Sequence, residues 1–258
     1  QKCRVRCIFN IVENENVLDL FNKNKDKILK NIKQSKKPLN YFNINEEIFR
    51  NYKQCTNFNT TIVMSLLGIF KPKKWLDFSA GWGDRLIGAI AYGCEYTGVD
   101  PSECMNPIYK NIIQTLVPKK NFHKYKIIKN GFENVKIQPN NYDLVFTSPP
   151  FFDLEIYEDN NKQSVKKFKT VDSWKKNFLF PSIDKSYTGL KKGGYLALYI
   201  TDFKSSTYIK NMLEYVKNYI KDMNYLGNIY WINKDVLKIK NKKLLNRKLR
   251  IVYVWQKK

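Results

Sequence analysis

Asp143-Leu-Val-Phe-Thr-Ser-Pro-Pro-Phe-Phe152 is the stretch from which the rest of the chain is best read. Leu144, Val145 and Phe146 form a short apolar run of the kind that makes a buried strand. The run stops at Thr147 and Ser148, followed by two prolines and two aromatics. Proline lacks an amide N–H and fixes φ, so the chain must leave the sheet here in one stiffened shape. A rigid turn that offers carbonyls, a hydroxyl and aromatic faces at a strand end suits a flat, polar object such as a nucleobase. The same residues also make an ordinary strand exit, and the turn alone does not separate the two.

Outward from this run, strands and helices alternate. Strands are predicted at residues 75–78, 95–100, 125–129 and 142–146, with helices at 84–92 and about 107–116. A largely helical segment at 171–190, kinked or split by Pro181, leads to a strand at 195–200. A helix at 206–223 and strands at 225–231 and 249–255 follow. This order implies right-handed crossovers and an α/β fold with a mostly parallel, doubly wound sheet of seven strands. The last two strands are joined without room for a helix, which predicts an antiparallel hairpin at the sheet edge. Ahead of the first strand, a helix begins near Asn59, with Asn59, Thr60 or Thr61 as cap, and Pro72 closes it. Residues 1–57 read as a basic, mainly helical accessory segment. It holds a helix at 16–34, a break at Pro38 and the Asn-rich run 40–45, and a short helix around Ile48 and Phe49. Residues 58–258 form the main domain.

Composition narrows the classes. The 258 residues are 43% hydrophobic and 15% aromatic, enough for a real core. No apolar run approaches the roughly 20 residues of a membrane span, and no signal peptide opens the chain. Lys and Arg number 46 against 23 Asp and Glu, a formal charge of +23. A surplus of this size attracts polyanions, so nucleic acid is the expected partner; codon bias toward Lys and Asn in an AT-rich genome is the competing cause. The five cysteines are odd in number and scattered, and His123 is the only histidine. Without paired ligand spacing no metal is expected, and free thiols in a reducing, intracellular compartment (cytoplasm, nucleus or a viral factory) are the simpler account. The chain starts at Gln1 rather than Met, which suggests a piece or processed form of something longer.

In a sheet of this type ligands bind at the carboxyl ends of the strands. The first strand ends in Asp77-Phe-Ser-Ala-Gly81-Trp-Gly83-Asp-Arg85, where Gly81 and Gly83 permit a sharp turn and close backbone approach. Asp84 would repel a pyrophosphate at the helix start, so this is no dinucleotide loop. An acid before the loop suits a ligand with a cationic amine. Asp100, at the end of the second strand, is placed to accept both hydroxyls of a ribose, or to cap the Pro101-Ser102 turn. After the third strand, Phe132 could flank an adenine.

Asp77-x-x-Ala-Gly-x-Gly83, Asp100 and Thr147-Ser-Pro-Pro-Phe151 together resemble the class I S-adenosylmethionine-dependent methyltransferases. Within them they resemble the DNA amino-methyltransferases, whose fourth motif is (Asp/Asn/Ser)-Pro-Pro-(Tyr/Phe/Trp). The longer runs 80–86 and 147–155 look like compact phage or virus-type members. The likeness covers about residues 59–255 and implies a Rossmann-like methyltransferase domain with S-adenosyl-L-methionine as cofactor. Carried over residue by residue, the cofactor site comprises Thr60, Asp77, Ser79, Ala80, Gly81, Gly83, Asp100, Pro101, Phe132 and Ser148. Phe58-Asn-Thr-Thr61 would hold the cofactor's carboxylate. The catalytic clamp is Ser148, Pro149, Pro150 and Phe151. In it Ser148 and the Pro149 carbonyl would accept from the exocyclic amine while Phe151 stacks on the base. DNA is the favoured substrate, with N4 of cytosine or N6 of adenine as target; Ser148 tilts toward cytosine. RNA, a protein glutamine amide, or a non-catalytic nucleic-acid-binding subunit are the other readings. No separate recognition domain is present, so further domains or subunits are expected to assist. Within the chain, the loop 153–170 and the basic stretch 234–250 are the candidates for recognising the target.

Overall fold

The apolar run 144–146 lies in the middle of a seven-stranded sheet. A computed structural model describes residues 3–4, 7–9, 15–52, 55–157, 162–202, 207–231 and 250–258. In chain order the elements are β1 (Ile8–Phe9), α1 (Val17–Gln34), α2 (Tyr41–Asn51), α3 (Thr60–Phe70), β2 (Lys74–Asp77) and α4 (Asp84–Tyr92). Next come β3 (Glu95–Val99), α5 (Met105–Leu116), β4 (Tyr125–Ile128), β5 (Tyr142–Thr147), β6 (Glu155–Ile156) and α6 (Ser164–Lys167). The chain continues through α7 (Val171–Trp174), α8 (Phe180–Gly189), β7 (Leu190–Tyr199), α9 (Ile209–Tyr219), β8 (Met223–Trp231) and β9 (Arg250–Lys257).

The large sheet has the order β4-β3-β2-β5-β7-β9-β8. Pairing is parallel from β4 through β7, and β9 runs antiparallel to both β7 and β8. The fold is therefore the expected Rossmann-like α/β sheet with an antiparallel hairpin at one edge. Both faces are covered, which explains the unbroken apolar strands. Trp75, Leu144, Phe146 and Ala197 point to one side and pack with Val63, Leu67, Leu86 and Tyr109. Leu76, Val145, Leu196 and Leu198 point to the other and meet Trp174, Ile183 and Met212. Burying each large side chain contributes about 1.5–3 kcal/mol, so these two layers hold the strand ends in place.

One local reading needed revision. The Asn-rich run 40–45 does not break structure: Asn40 caps α2 by accepting from the Asn43 N–H, and the run forms its first turn. The helical segment is divided just ahead of Pro181, as expected: α7 gives way to a π-helical turn at Lys175–Leu179, and Pro181 stands in the first turn of α8. That wider turn accommodates the hydrogen bond a proline cannot donate. The helical pair α1 and α2 packs around its own small cluster of Val17, Ile28, Ile32 and Ile48.

The cysteines correct a further expectation. Cys3 is bonded to Cys104 and Cys7 to Cys55, with Cα separations of 5.9 and 6.2 Å, while Cys94 is free and buried. The inference of a reducing compartment, which rested on free thiols, loses its basis. Among the described residues no helix is long and apolar enough to cross a membrane, and no group of three or more His, Cys, Asp or Glu is placed to hold a metal ion.

Candidate active site

β2, β3 and β5 are neighbours, and their carboxyl ends deliver Asp77, Asp100 and Thr147-Ser148 to one edge of the sheet. The chain order reverses between β2 and β5, the position where open α/β sheets leave a ligand crevice.

Asp77 is the hub of this edge, and it is fully buried. Its Oδ2 accepts from Arg85 Nε and from the Tyr96 hydroxyl, each at 2.7 Å. Its Oδ1 accepts from the Thr147 hydroxyl at 2.7 Å and from the Ser79 N–H at 3.3 Å. Hydrogen bonds to a charged group contribute about 1.5–3 kcal/mol each, so this carboxylate ties β2, β3, β5 and α4 together. It has no acceptor capacity left for a ligand's amine. The expectation that Asp77 binds a cationic cofactor group through its carboxylate is therefore corrected: Asp77 builds the site rather than lining it.

The glycine loop follows. Gly81 has φ +65°, and its amide donates to Asp100 Oδ2 at 2.9 Å. Gly83 has φ +90°, and a Cβ there would stand 2.7 Å from Ile112 Cδ1. Its missing side chain thus serves the packing of α4 on α5, not approach to a ligand. Ala80 is buried, Ser79 half-buried, and the Tyr109 hydroxyl donates to the Gly81 carbonyl, which holds the loop from beneath.

Asp100 is nearly buried, and its Oδ1 accepts from the Ser102 N–H at 2.9 Å across the Pro101 turn. Burial raises its pKa to about 6. A carboxylate has about four lone-pair sites. Two are engaged by backbone and the Tyr109 hydroxyl stands within reach of a third, which leaves room for a ribose hydroxyl, so ribose binding and turn capping are compatible. Phe132 is corrected: its ring is buried and stacked on Phe78, with centroids 4.9 Å apart and planes 14° from parallel. It is a core residue here, not an open face beside the loop. Thr60 stands half-buried in the first turn of α3, capped by Asn59.

Ser148 and Pro150 are half-buried and Pro149 is buried. The Ser148 hydroxyl and the Pro149 carbonyl take no hydrogen bond from the described residues. Phe151 lies against Tyr199, 5.8 Å between centroids. Tyr199 in turn meets Phe58 at 5.4 Å and Trp231 at 6.4 Å, and Phe58 meets Trp231 at 6.2 Å. Four aromatic rings from four parts of the chain thus gather beside the Ser-Pro-Pro turn, with Arg250 Nη1 donating to the Tyr199 hydroxyl at 2.8 Å.

The loop 153–170 is in part a packed cover. Its residues 158–161, and residues 234–249 of the basic stretch, lie outside the described residues. Tyr157 donates to Glu155 Oε2 at 2.7 Å, and its ring meets Trp82 of the glycine loop at 5.6 Å. Burial pushes the Glu155 carboxyl above its ordinary range. β6 pairs antiparallel with β1, Ile156 opposite Ile8 and Glu155 opposite Phe9. The disulfides anchor this cover at both ends, since Cys104 sits just past Asp100 and Cys55 just before Phe58.

Several site residues escaped the sequence reading. Arg85 and Thr147 stood inside quoted motifs but carried no assigned role. Tyr96, Tyr157, Tyr199 and Trp231 had no signal, because aromatic residues in strands are ordinary.

No family profile matches the chain, and no curated protein does. Solved structures do. TrmN from Thermus thermophilus superposes with a TM-score of 0.52 at 12% identity, over 78% of this chain and 49% of that one. The chain thus spans about half the length of that protein. The 1,6-didemethyltoxoflavin-N1-methyltransferase of Burkholderia thailandensis, solved with S-adenosylhomocysteine, gives 0.51 at 10% identity over 77% of both chains. The [4+2]-cyclase SpnF gives 0.50 at 11% identity over 77% of this chain and 79% of its own. At these identities the likeness is one of fold, and SpnF shows that the fold hosts more than one chemistry.

Proposed function

We propose that the chain transfers a methyl group from S-adenosyl-L-methionine to the exocyclic amine of a nucleobase, in DNA by preference, at N4 of cytosine or N6 of adenine. One observation carries this reading. Ser148-Pro-Pro-Phe151, whose hydroxyl and Pro149 carbonyl accept nothing from the described residues, leaves β5 directly beside the glycine loop of β2, joined to it by the Thr147–Asp77 hydrogen bond.

The residues suit the cofactor. Gly81 in its left-handed conformation forms an open turn, and Asp100 beside it keeps acceptor capacity for a ribose hydroxyl. When bound, S-adenosylmethionine supplies an electrophilic methyl group. The chain must supply a competent nucleophile, and an exocyclic amine is a poor one because its lone pair is delocalised into the ring. Ser148 Oγ and the Pro149 carbonyl accept from its two N–H groups, which favours a pyramidal nitrogen with the lone pair directed at the methyl. Phe151 holds the base plane by stacking, and Phe58 and Trp231 widen the aromatic wall. A base taken from a duplex must first be flipped, at a cost of a few kcal/mol.

The test is incubation with methyl-labelled S-adenosylmethionine and DNA, RNA or protein, followed by nucleoside or amino-acid analysis. Label in N4-methylcytosine or N6-methyladenine of DNA is the expected result. Label in RNA or in glutamine would move the substrate, and no transfer to any of them would overturn the enzyme reading. Phe151→Ala is expected to lower transfer by about tenfold or more, as loss of a base–aromatic stack of about 1–3 kcal/mol predicts, with cofactor binding kept.

A further inference from the structure

Arg85 is a cation enclosed by the glycine loop, and the reaction as described leaves it without a ligand. It lies in the first turns of α4, four residues after Gly81, and its side chain reaches back toward the strand end. Nε donates to Asp77 and Nη2 to the Ser79 carbonyl. A Cβ on Gly81 would stand 3.4 Å from Nη2, so the guanidinium lines the inner wall of the loop. Its Cζ is 5.5 Å from the centroid of Phe58, the ring just ahead of α3. The side chain is only 5% exposed. Yet Nη1 donates to none of the described residues.

Nη1 is not among the fully enclosed polar atoms that lack a partner, so its donors remain open to a ligand, and planar N–H pairs match a carboxylate in bidentate fashion. Asp77 does not use this capacity: it meets Nε alone, and its remaining acceptors are taken by Tyr96, Thr147 and Ser79. The start of α3 offers a carboxylate no such cation. Asn59 is engaged in capping, and no basic residue stands in the first turn.

We propose that Arg85, through the free edge of its guanidinium, is the cation that pairs with the carboxylate of the methyl donor's amino-acid tail. Asp77 is then a positioning residue, which holds Arg85 by Nε so that the other nitrogens face the cleft. The inference rests on the methyl-donor reading but not on the identity of the methylated substrate.

The experiment compares binding of S-adenosylmethionine and decarboxylated S-adenosylmethionine to the full chain by titration calorimetry. Both carry the adenosine, the sulfonium and a primary amine, and they differ in the carboxylate alone. The wild type is expected to prefer the carboxylate-bearing compound by about tenfold or more, the scale of a charged hydrogen-bonded pair. In Arg85→Met that preference is expected to fall to within about twofold, again by loss of the pair. Because Arg85→Met leaves Asp77 buried without its partner, the double variant Asp77→Asn/Arg85→Met provides a neutral pair and is expected to show the same loss. Asp77→Asn alone, which keeps the guanidinium, is expected to retain the preference. A wild type with no preference, a preference that survives in folded Arg85 variants, or tighter binding of S-adenosylmethionine without Arg85 would each overturn the assignment. A wild type that binds neither compound would overturn the methyl-donor reading itself.

Discussion

Asp100 shows how one carboxylate can serve both fold and ligand. Its oxygens each accept a backbone N–H, from Gly81 and Ser102, and burial lifts its pKa to about 6. The sign follows from that shift. The folded value lies above the ordinary carboxylate value, so ionising Asp100 costs the fold stability as pH rises from about 4 through about 6. Ribose hydroxyls donate most strongly to the ionised form, so the ligand pulls the equilibrium the other way. Affinity for S-adenosylhomocysteine is expected to rise about fivefold from pH 5 to about 6 and to level off above about 7. Asp100→Asn should flatten that profile and weaken binding by about tenfold or more. Calorimetry across pH checks both, and a flat wild-type profile would remove Asp100 from the site. Asp77, also an aspartate at a strand end and one strand away, has no such role because Arg85, Tyr96 and Thr147 have already saturated it.

At the scale of elements, the cover made by β1, β6 and Tyr157 is the least expected part of the protein. A two-residue strand is marginal by itself. Here the β1–β6 pair is held by Cys7–Cys55 and Cys3–Cys104, which close separations of 48 and 101 residues. Cross-links over such loops stabilise by about 2–5 kcal/mol each, chiefly by constraining the unfolded chain. Reduction of both is therefore expected to lower Tm by roughly 8–40 °C, as about 2–4 °C per kcal/mol predicts for a chain of this size. It should also weaken cofactor binding, since Cys104 and Cys55 flank Asp100 and Phe58. Alkylation of the unreduced, denatured protein should label only Cys94. Labelling of three or more cysteines would show that the pairs do not form.

For the whole molecule, charge is the dominant feature. The formal +23 is spread over a chain whose helix α1 is rich in exposed lysine, and Arg250 brings a further cation to the aromatic wall. If this charge serves a nucleic acid, binding to a duplex should fall by about a thousandfold between 50 and 200 mM salt, the loss for six or more phosphate contacts. Fluorescence anisotropy with a labelled oligonucleotide measures this directly. A response flatter than about tenfold over that range would favour codon bias as the origin of the lysines.

The sheet was legible because buried strands and amphipathic helices follow short periods, and glycine, proline and asparagine punctuate them at fixed points. Gly81, Asp100 and Ser148-Pro-Pro-Phe151 were legible for the same local reason: each sits where a strand ends, and strand ends can be counted. What local pattern could not carry is whose partner each side chain would be. Asp77 and Phe132 were read as ligand contacts, yet the fold gives Asp77 three side-chain donors from other elements and stacks Phe132 on Phe78. The two disulfides and the ring of Phe58, Phe151, Tyr199 and Trp231 arise from residues tens of positions apart. Spacing along the chain determined where the crevice lies. Only packing across the sheet decided which of its residues remain free to meet a ligand, because a donor or acceptor is available only when no neighbour has taken it.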